Sequence, residues 1–532
     1  MRTRAWCATL VISGSLLAAE PCLAPAETPE EMLREGKGAL EAKNFNRAEK
    51  IFAQLTKQDP SATNYAYLGV AEISAGEAAP AIEHFKQAHQ LGNDSANMHY
   101  YWGLAYLENK APASGMRELR FALSKDPGLY PAAVALGIAL VNNGQPKDAV
   151  PYLEQARTRS PGDAEIQASL VRAEFEAGDP SRALASIDSA TDAIPENARL
   201  DATLAFLCLH HRQAQKARQL LESASEISPQ DFTLKLLLAD ASLRAGEPVE
   251  ALAVLKGLPE EAGGKGELAF LRGSAYLLGG DPKRAAPYLS DAVGADPANV
   301  NYQLAYATLE GSEQLYSKAV ETLSKASQLD PKAESIPYQL AVAYALMHNY
   351  PDALQACATA LRLTHQPDEV YFLRGVIEIE RASFGTAEES LRQALALNSR
   401  VASYHTALGV AEFKVENFTD SLKELDQAVA LDAQAAPAYL WRARVEVRNG
   451  GNEQALADYQ AYTALAPDTA AAFLEEEALY RQTGQADKAA AAHTKYVALK
   501  AEKSASERDP SLLDQLWLSR LREGLGEVAV GP

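Results

Sequence analysis

The chain has 532 residues, of which 50 are Lys or Arg and 70 are Asp or Glu, giving a formal net charge of −20. This balance argues against nucleic acid or an anionic membrane surface as the main partner. A chain of this length exceeds what one compact core organises, so it predicts either several domains or an array of repeats that contact only their neighbours.

The first residues have the layout of a secretory signal peptide. Arg2 and Arg4 precede a mostly apolar run over residues 5–19, and small residues follow at 24–26. We therefore predict a signal peptide over residues 1–26 and export to a periplasm or the extracellular space. The apolar run is short for a membrane span, so no transmembrane segment is expected after processing. An uncleaved anchor, which would make the protein a membrane-surface adaptor, is the alternative.

A repeat of constant length follows. Residues 62–503 form thirteen blocks of 34 residues, and residues 28–61 form one more block that is offset by one residue. Counting from Ala62 as position 1, position 8 is Gly or Ala in eleven of the thirteen blocks and position 20 is Ala in eleven. Position 24 is mostly large and apolar, position 27 is Ala in ten blocks, and position 32 is Pro in seven. In the second block these positions are Gly103, Gly115, Leu119, Ala122 and Pro127.

This pattern predicts a helical hairpin in every block. Small residues at positions 8 and 20 let two antiparallel helices approach closely, and the large residue at position 24 fills the space beside them. Gly at position 15, present in seven blocks, suits the left-handed residue that ends a helix, and Pro at position 32 ends the next one. One hairpin cannot bury its apolar face alone, so neighbouring hairpins are expected to stack.

The blocks resemble the tetratricopeptide repeat family in the spacing of their small, aromatic and proline positions. Residues 100–106, Tyr-Tyr-Trp-Gly-Leu-Ala-Tyr, followed by Pro127, illustrate the likeness. The resemblance implies an all-α fold, a right-handed superhelix (α-solenoid) of about fourteen helix–turn–helix repeats over residues 27–503. It is specific for the fold and says little about function, because the family is defined by a scaffold.

The remaining residues, 504–532, are predicted to form a capping helix and a tail. Asp509 can cap the N-terminus of that helix, with Pro510 in its first turn, and apolar residues follow. Such a helix would close the open end of the solenoid. Within the array we expect no domain boundary, and the Gly-rich stretch 257–266 is interpreted as a looser turn or hinge.

Two cysteines remain after the predicted signal peptide, Cys208 and Cys357, both at core positions and four repeats apart. A disulfide requires Cα atoms within about 7 Å, so we predict two buried free thiols.

Motifs for catalysis are absent from the sequence. It contains no His-Glu-x-x-His motif, phosphate-binding glycine loop or nucleophile elbow. His84, His89 and His99 form a loose cluster, which we interpret as scattered surface histidines. We therefore expect no enzyme activity, no cofactor and no metal.

The family resemblance implies that first-helix positions 2, 5, 9, 12 and 13 line a concave groove. The Lys/Asn/Arg clamp with which one subgroup holds a peptide carboxylate is missing, since no position 5 is Lys. Position 9 is apolar at both ends and more polar in the middle, at Arg172, Asp240, Ser274 and Thr308. We predict an N-terminal binding segment of Tyr67, Val70, Tyr100, Tyr101, Leu104 and Ile138, and a C-terminal one of Tyr338, Val342, Phe372, Val376, Val410 and Trp441. The alternative is tight packing between neighbouring first helices, which would leave little of this surface exposed.

These observations favour a non-catalytic scaffold that binds a protein or peptide in its groove, in cell-envelope assembly or secretion. A subunit associated with polysaccharide export or a glycosyltransferase is the competing class, and it would require a more polar groove with stacked aromatics. The sequence leaves the oligomeric state open.

Overall fold

The computed structural model describes residues 28–502 except 261, 265, 365 and 366. The predicted signal peptide and the predicted capping helix and tail lie outside the described residues. Within them the secondary structure consists of helices and turns, without a strand. The chain divides between Pro195 and Glu196 into an N-terminal and a C-terminal unit. No composition change in the sequence marks this division, which falls where one repeat ends and the next begins.

The N-terminal unit contains ten helices, which form five consecutive hairpins: α1 (Pro29–Glu41), α2 (Phe45–Gln58), α3 (Ala62–Ser74), α4 (Ala78–Gln90), α5 (Ala96–Glu108), α6 (Pro112–Lys125), α7 (Tyr130–Asn142), α8 (Pro146–Arg159), α9 (Ala164–Glu176) and α10 (Pro180–Ala193).

The C-terminal unit contains eighteen helices within the described residues, and they form nine hairpins: α11 (Ala198–His210), α12 (Ala214–Ile227), α13 (Phe232–Arg244), α14 (Pro248–Leu255), α15 (Glu267–Leu278), α16 (Pro282–Ala295), α17 (Val300–Ser312), α18 (Tyr316–Leu329), α19 (Ser335–Leu346), α20 (Tyr350–Leu363), α21 (Pro367–Glu380), α22 (Phe384–Leu397), α23 (Ala402–Lys414), α24 (Phe418–Leu431), α25 (Ala436–Asn449), α26 (Asn452–Leu465), α27 (Ala470–Gln482) and α28 (Ala486–Glu502). The prediction of an all-α array of hairpins is confirmed.

In the hairpins from α3 to α26 the position 24 side chains, among them Leu119 and Leu153, are almost fully buried and pack against position 8 as predicted. The last hairpin differs, because Glu477 and His493 occupy these two positions. A Cβ atom added to Gly103 would lie 2.7 Å from Leu119 Cγ and 3.1 Å from the carbonyl oxygen of Gly115. The glycine therefore leaves the space that the leucine fills, and it brings the two helix backbones together.

The turn within each hairpin depends on a left-handed residue at position 15. The seven glycines predicted there have φ between 72° and 87°. The seven other hairpins place a residue with a side chain in the same conformation, among them Lys43 at φ 56° and Ala382 at φ 58°. The next backbone N–H then reaches back into the first helix, as Ser383 N does to Glu378 O at 2.8 Å. The turn geometry therefore holds even where glycine is absent.

The sixth hairpin of the 34-residue series is the irregular one. Its second helix, α14, has 8 residues and ends at Leu255, whereas the next helix, α15, begins at Glu267. Leu258 and Ala262 in this segment are nevertheless buried. The looser turn predicted from the glycines is therefore anchored to the core.

The two cysteines are free and buried, as predicted. Burial raises the pKa of both thiols to about 12, so they behave as small apolar groups. Among the described residues, no helix combines the length and apolar character needed to cross a membrane.

Gly103→Ala should destabilise the hairpin of α5 and α6 by about 1–3 kcal/mol, because the new methyl group overlaps Leu119. The matched control is Gly38→Ala on α1, where an added Cβ meets nothing within 4 Å. That change should stabilise its helix by about 0.5–1 kcal/mol. Amide hydrogen exchange in α5 and α6 measures the first effect and exchange in α1 the second. Equal effects of the two substitutions would contradict the close approach at position 8.

Candidate binding surface

Six of the twelve predicted groove residues lie together on three consecutive first helices of the N-terminal unit. Tyr67 and Val70 lie on α3, Tyr100, Tyr101 and Leu104 on α5, and Ile138 on α7; all six are half-buried. We call these six residues the N-terminal strip. Because each side chain is partly packed and partly open, the strip offers apolar area to solvent on a fixed support. A role in binding stays a prediction.

The tyrosines of the strip are held by their neighbours. The Tyr67 ring stacks on Phe52 at a centroid distance of 5.3 Å, and Lys37 Nζ lies 4.8 Å from the Tyr67 ring centroid. The rings of Tyr100 and Tyr101 meet at 4.9 Å. Burial raises the pKa of the Tyr100 hydroxyl above its ordinary value. Rings fixed in this way lose little conformational entropy on binding a partner.

A polar cluster ends the strip on α9. Arg172 occupies the position equivalent to Ile138 in the next repeat. Its Nη2 donates to Asn142 Oδ1 at 3.0 Å, and its Nε donates to Glu176 Oε1 at 2.8 Å. The apolar surface is therefore bounded within the N-terminal unit.

The C-terminal segment differs from the exposed groove that the sequence predicted. Five of its six residues are buried in the structure: Tyr338, Val342, Phe372, Val376 and Val410. The Phe372 ring packs against Tyr404 of the following first helix at 4.8 Å, and four of the five belong to one continuous core. For Phe372 the physical reason is that its ring, at position 5, meets a tyrosine at position 3 of the next repeat. The alternative of tight packing between first helices describes this segment.

The polar middle segment is also less open than expected. Asp240, Ser274 and Thr308 are buried, and only Arg172 keeps partial exposure. Burial raises the pKa of Asp240 to about 7, opposed by Arg244, whose Nε donates to Asp240 Oδ2 at 2.9 Å. These groups therefore serve the packing between helices.

Trp441 on α25 is the one predicted C-terminal residue that stays half-buried. Its ring meets Phe413 at 5.5 Å, and the Arg444 guanidinium and Lys414 Nζ lie 4.4 Å and 5.3 Å from its centroid. The two cations occupy much of the space that a partner side chain would need. It is therefore a weaker candidate than the N-terminal strip.

A recurring polar pair inside the hairpins escaped the sequence analysis. A glutamate at position 11 of the first helix accepts a hydrogen bond from position 23 of the second, as in Glu310 with Thr322 at 2.8 Å and Glu378 with Ser390 at 3.0 Å. The signal was available as an acidic residue followed twelve residues later by a hydroxyl group or histidine. These pairs supply hydrogen-bond donors to carboxylates that are buried inside the hairpin.

In one repeat both of these positions are glutamates, and other titratable groups lie beside them. In the eleventh block the residues at positions 11 and 23 are Glu412 and Glu424, and His405 Nδ1 lies 2.7 Å from Glu424 Oε2. Burial and the Glu424 carboxylate raise the pKa of Glu412 to about 7, while Arg392 Nη2 lies 3.2 Å from its Oε1. The hydrogen bond to Glu424 raises the pKa of His405. Perturbed groups of this kind can mark acid–base sites. Here they occupy the positions of the structural pair, so we interpret them as part of the hairpin.

The histidine cluster is organised differently from the scattered surface residues that the sequence suggested. His84 bonds to Glu72 within its own hairpin, with 2.7 Å between Nδ1 and Oε2. The prediction of a surface position is wrong for His99, because this residue is only 2% exposed. Its Nε2 faces Asp94, and His89 lies beside both. His89, Asp94 and His99 therefore form a group separate from His84.

Glu412→Gln should stabilise the hairpin of α23 and α24 at pH 8 and have little effect near pH 4.5. The native pKa is raised, so the folded state binds the proton more tightly and wild-type stability falls as pH rises from about 4.5 to 7. The full difference is on the order of 3 kcal/mol. Hydrogen exchange in α23 and α24 across this range measures it. Glu389→Gln, which changes an exposed carboxylate on α22, serves as the control. A pH-independent effect of Glu412→Gln would contradict the shifted pKa.

Comparison with known protein families identifies the type of repeat. A family profile described as tetratricopeptide repeat matches residues 140–207 and 209–271. A second profile with the same description matches residues 33–96, 270–334, 372–437 and 406–470. No curated protein matches the sequence.

Many solved structures are similar to the chain, and two of them illustrate the likeness. One is a chain of the crystal structure of the APC/C hetero-tetramer Cut9–Hcn1, with 15% identity and a TM-score of 0.41 over 93% of this chain and 96% of that chain. The other is the crystal structure of MamA protein, with 20% identity and a TM-score of 0.29 over 31% of this chain and 91% of that chain.

The repeat profiles extend over more than half of the chain, and they coincide with the hairpins seen in the structure. This scaffold fold suggests protein–protein interaction, and no catalytic family is indicated. The chain belongs to the tetratricopeptide repeat family.

Proposed function

We propose that the N-terminal strip binds a segment of a partner protein or peptide, and that the protein is a non-catalytic scaffold in cell-envelope assembly or secretion. The observation that carries the proposal is the row of half-buried tyrosines, Tyr67, Tyr100 and Tyr101, on neighbouring first helices. Tyrosines whose side chains are partly packed against the protein and partly exposed to solvent are typical of the residues that contribute most to protein interfaces.

The chemistry of the strip indicates what the partner segment presents. Val70, Leu104 and Ile138 offer aliphatic area between the tyrosines, so the partner supplies apolar side chains. The tyrosine hydroxyl groups provide hydrogen bonds at the border of that area. A partner of this composition binds mainly by desolvation, and its affinity depends only weakly on salt.

The setting in the cell envelope rests on the pattern of residues 1–26, which supports export. A glycan-handling role requires polar side chains that converge beside exposed aromatic rings. In the N-terminal unit the polar cluster at Arg172 is engaged with Asn142 and Glu176. The protein-binding function is therefore favoured over the glycan-handling one.

The experiment is site-specific crosslinking of the exported chain in its own cells. A photoreactive phenylalanine analogue replaces Tyr101, and the control places it at Gln87, an exposed residue of α4. We expect a discrete protein adduct from position 101 and none from position 87. Adducts to glycan without protein, or identical adducts from both positions, would contradict the proposal.

The double substitution Tyr100→Ala/Tyr101→Ala should weaken binding of the crosslinked partner by at least about thirtyfold, which corresponds to about 2 kcal/mol. Phe232→Ala is the matched control, because it removes an exposed aromatic ring from position 1 of α13, which is not one of the groove positions. The measurement is titration calorimetry with the identified partner, after circular dichroism has established that each variant is folded. Unchanged affinity in the folded double variant would contradict the role of the strip.

A further inference from the structure

The group formed by His89, Asp94 and His99 draws on three successive pieces of chain. His89 lies in the last turn of α4, Asp94 lies in the turn between α4 and α5, and His99 lies on α5. Their ligand atoms all fall within 4.8 Å of one another. The distance from His99 Nε2 to Asp94 Oδ1 is 3.1 Å, and that from His89 Nδ1 to the same oxygen is 3.8 Å.

Two neighbouring charges orient the potential ligand atoms. Glu118 Oε2 lies 2.9 Å from His99 Nδ1 and leaves Nε2 to face the other two residues. Lys125 pairs with the other carboxylate oxygen of Asp94, Oδ2, so Oδ1 remains directed at the histidines. A carboxylate behind a histidine is the usual outer partner of a metal-bound imidazole.

The hydrogen bond of His99 differs from those made by residues at the same position in other repeats. In four other repeats the residue at position 4 donates a hydrogen bond to the carbonyl of position 32 before it. These pairs are Gln167 with Pro161, Gln303 with Pro297, His405 with Ser399, and Tyr439 with Ala433. His99 directs its Nε2 to the side chain of Asp94 instead. The common structural use of position 4 therefore does not account for this arrangement.

The eleventh block supplies an internal comparison. His405 and Glu424 repeat the pair of His99 and Glu118, at the same positions and with a similar distance of 2.7 Å. The positions equivalent to His89 and Asp94 are there occupied by Leu395 and Arg400. The two additional ligand residues therefore accompany the histidine–glutamate pair in only one of these two repeats.

We propose that His89 Nδ1, Asp94 Oδ1 and His99 Nε2 bind one divalent transition-metal ion of the zinc class, with water completing the coordination. Imidazole nitrogens and a single carboxylate oxygen form a donor set that suits Zn²⁺ and its neighbours in the first transition row. Ligand atoms of a tetrahedral zinc site are about 3.4 Å apart, from metal–ligand distances of about 2.1 Å. The contact of Asp94 with His99 is already close to this value, and the side chain of His89, 47% exposed, has room to move inward.

A metal bound here would fasten the end of α4 to the start of α5. Those two helices belong to the hairpins that carry Tyr67 and Tyr100, so the ion would fix the spacing of the N-terminal strip. The metal site does not depend on the proposed binding function, because its ligands are separate from the strip and its test needs no partner.

The test is titration of the metal-free exported chain with Co²⁺ and Zn²⁺. Trp102 reports on the site, because its ring centroid lies 5.8 Å from that of His89 and 5.6 Å from that of His99. Co²⁺ should give the intense visible absorption of a low-coordinate site and quench the Trp102 fluorescence at a ratio of one ion per chain. The variant Trp102→Phe should lose the quenching and keep the absorption.

Ligand variants decide whether binding occurs at this place. His89→Ala and Asp94→Asn should each weaken Zn²⁺ binding by at least about a hundredfold, and Glu118→Gln by about 10- to 100-fold through the orientation of His99. His405→Ala and His84→Ala are the controls and should leave the affinity unchanged. His89 and Asp94 are exposed, so loss of folding should not obscure their effects. Equal affinity in wild type, His89→Ala and Asp94→Asn, or no stoichiometric binding by the wild-type chain, would overturn the proposal.

Discussion

The contact between a small residue at position 8 and a large apolar residue at position 24 determines the rest of this structure. At Gly103 and Gly137 the missing side chain leaves space for Leu119 and Leu153 of the returning helix. The alanines at position 27 are fully buried beside this layer, from Ala88 to Ala428. Because the layer recurs in hairpin after hairpin, each repeat presents its neighbour with a similar apolar face, and stability is a sum over adjacent repeats.

The packing between neighbouring first helices then decides which aromatic rings remain open. In the C-terminal unit a ring at position 5 meets a tyrosine at position 3 of the next repeat, as Phe270 meets Tyr302 at 5.1 Å. Phe372 is buried in the same way. In the N-terminal unit Tyr100 meets its own neighbour Tyr101, and both rings stay half-buried. The same residue type at the same position thus belongs to the core in one unit and to the surface in the other.

The sequence was sufficient for most features that depend on contacts within one repeat, although the polar pairs between positions 11 and 23, such as Glu310 with Thr322, were missed. The predicted features include the hairpin, the small and large positions, the left-handed glycines such as Gly144, and the two free thiols. Features that depend on contacts with the next repeat were harder to predict from the sequence. The burial of Phe372 requires Tyr404, and the grouping of His89 with His99 requires the turn that carries Asp94. A pattern read one repeat at a time contains no information on these pairs, because each is set by the residue that the neighbour supplies.

Hydroxyl-radical footprinting of the full chain tests most directly the claim that packing leaves the N-terminal strip open and buries the C-terminal segment. Comparison within one residue type removes differences in intrinsic reactivity. The structure predicts that Tyr67, Tyr100 and Tyr101 are oxidised several-fold faster than Tyr338 and Tyr404, which are almost fully buried. Equal rates in the two sets, or faster oxidation of Tyr338 and Tyr404, would contradict this account of the binding surface.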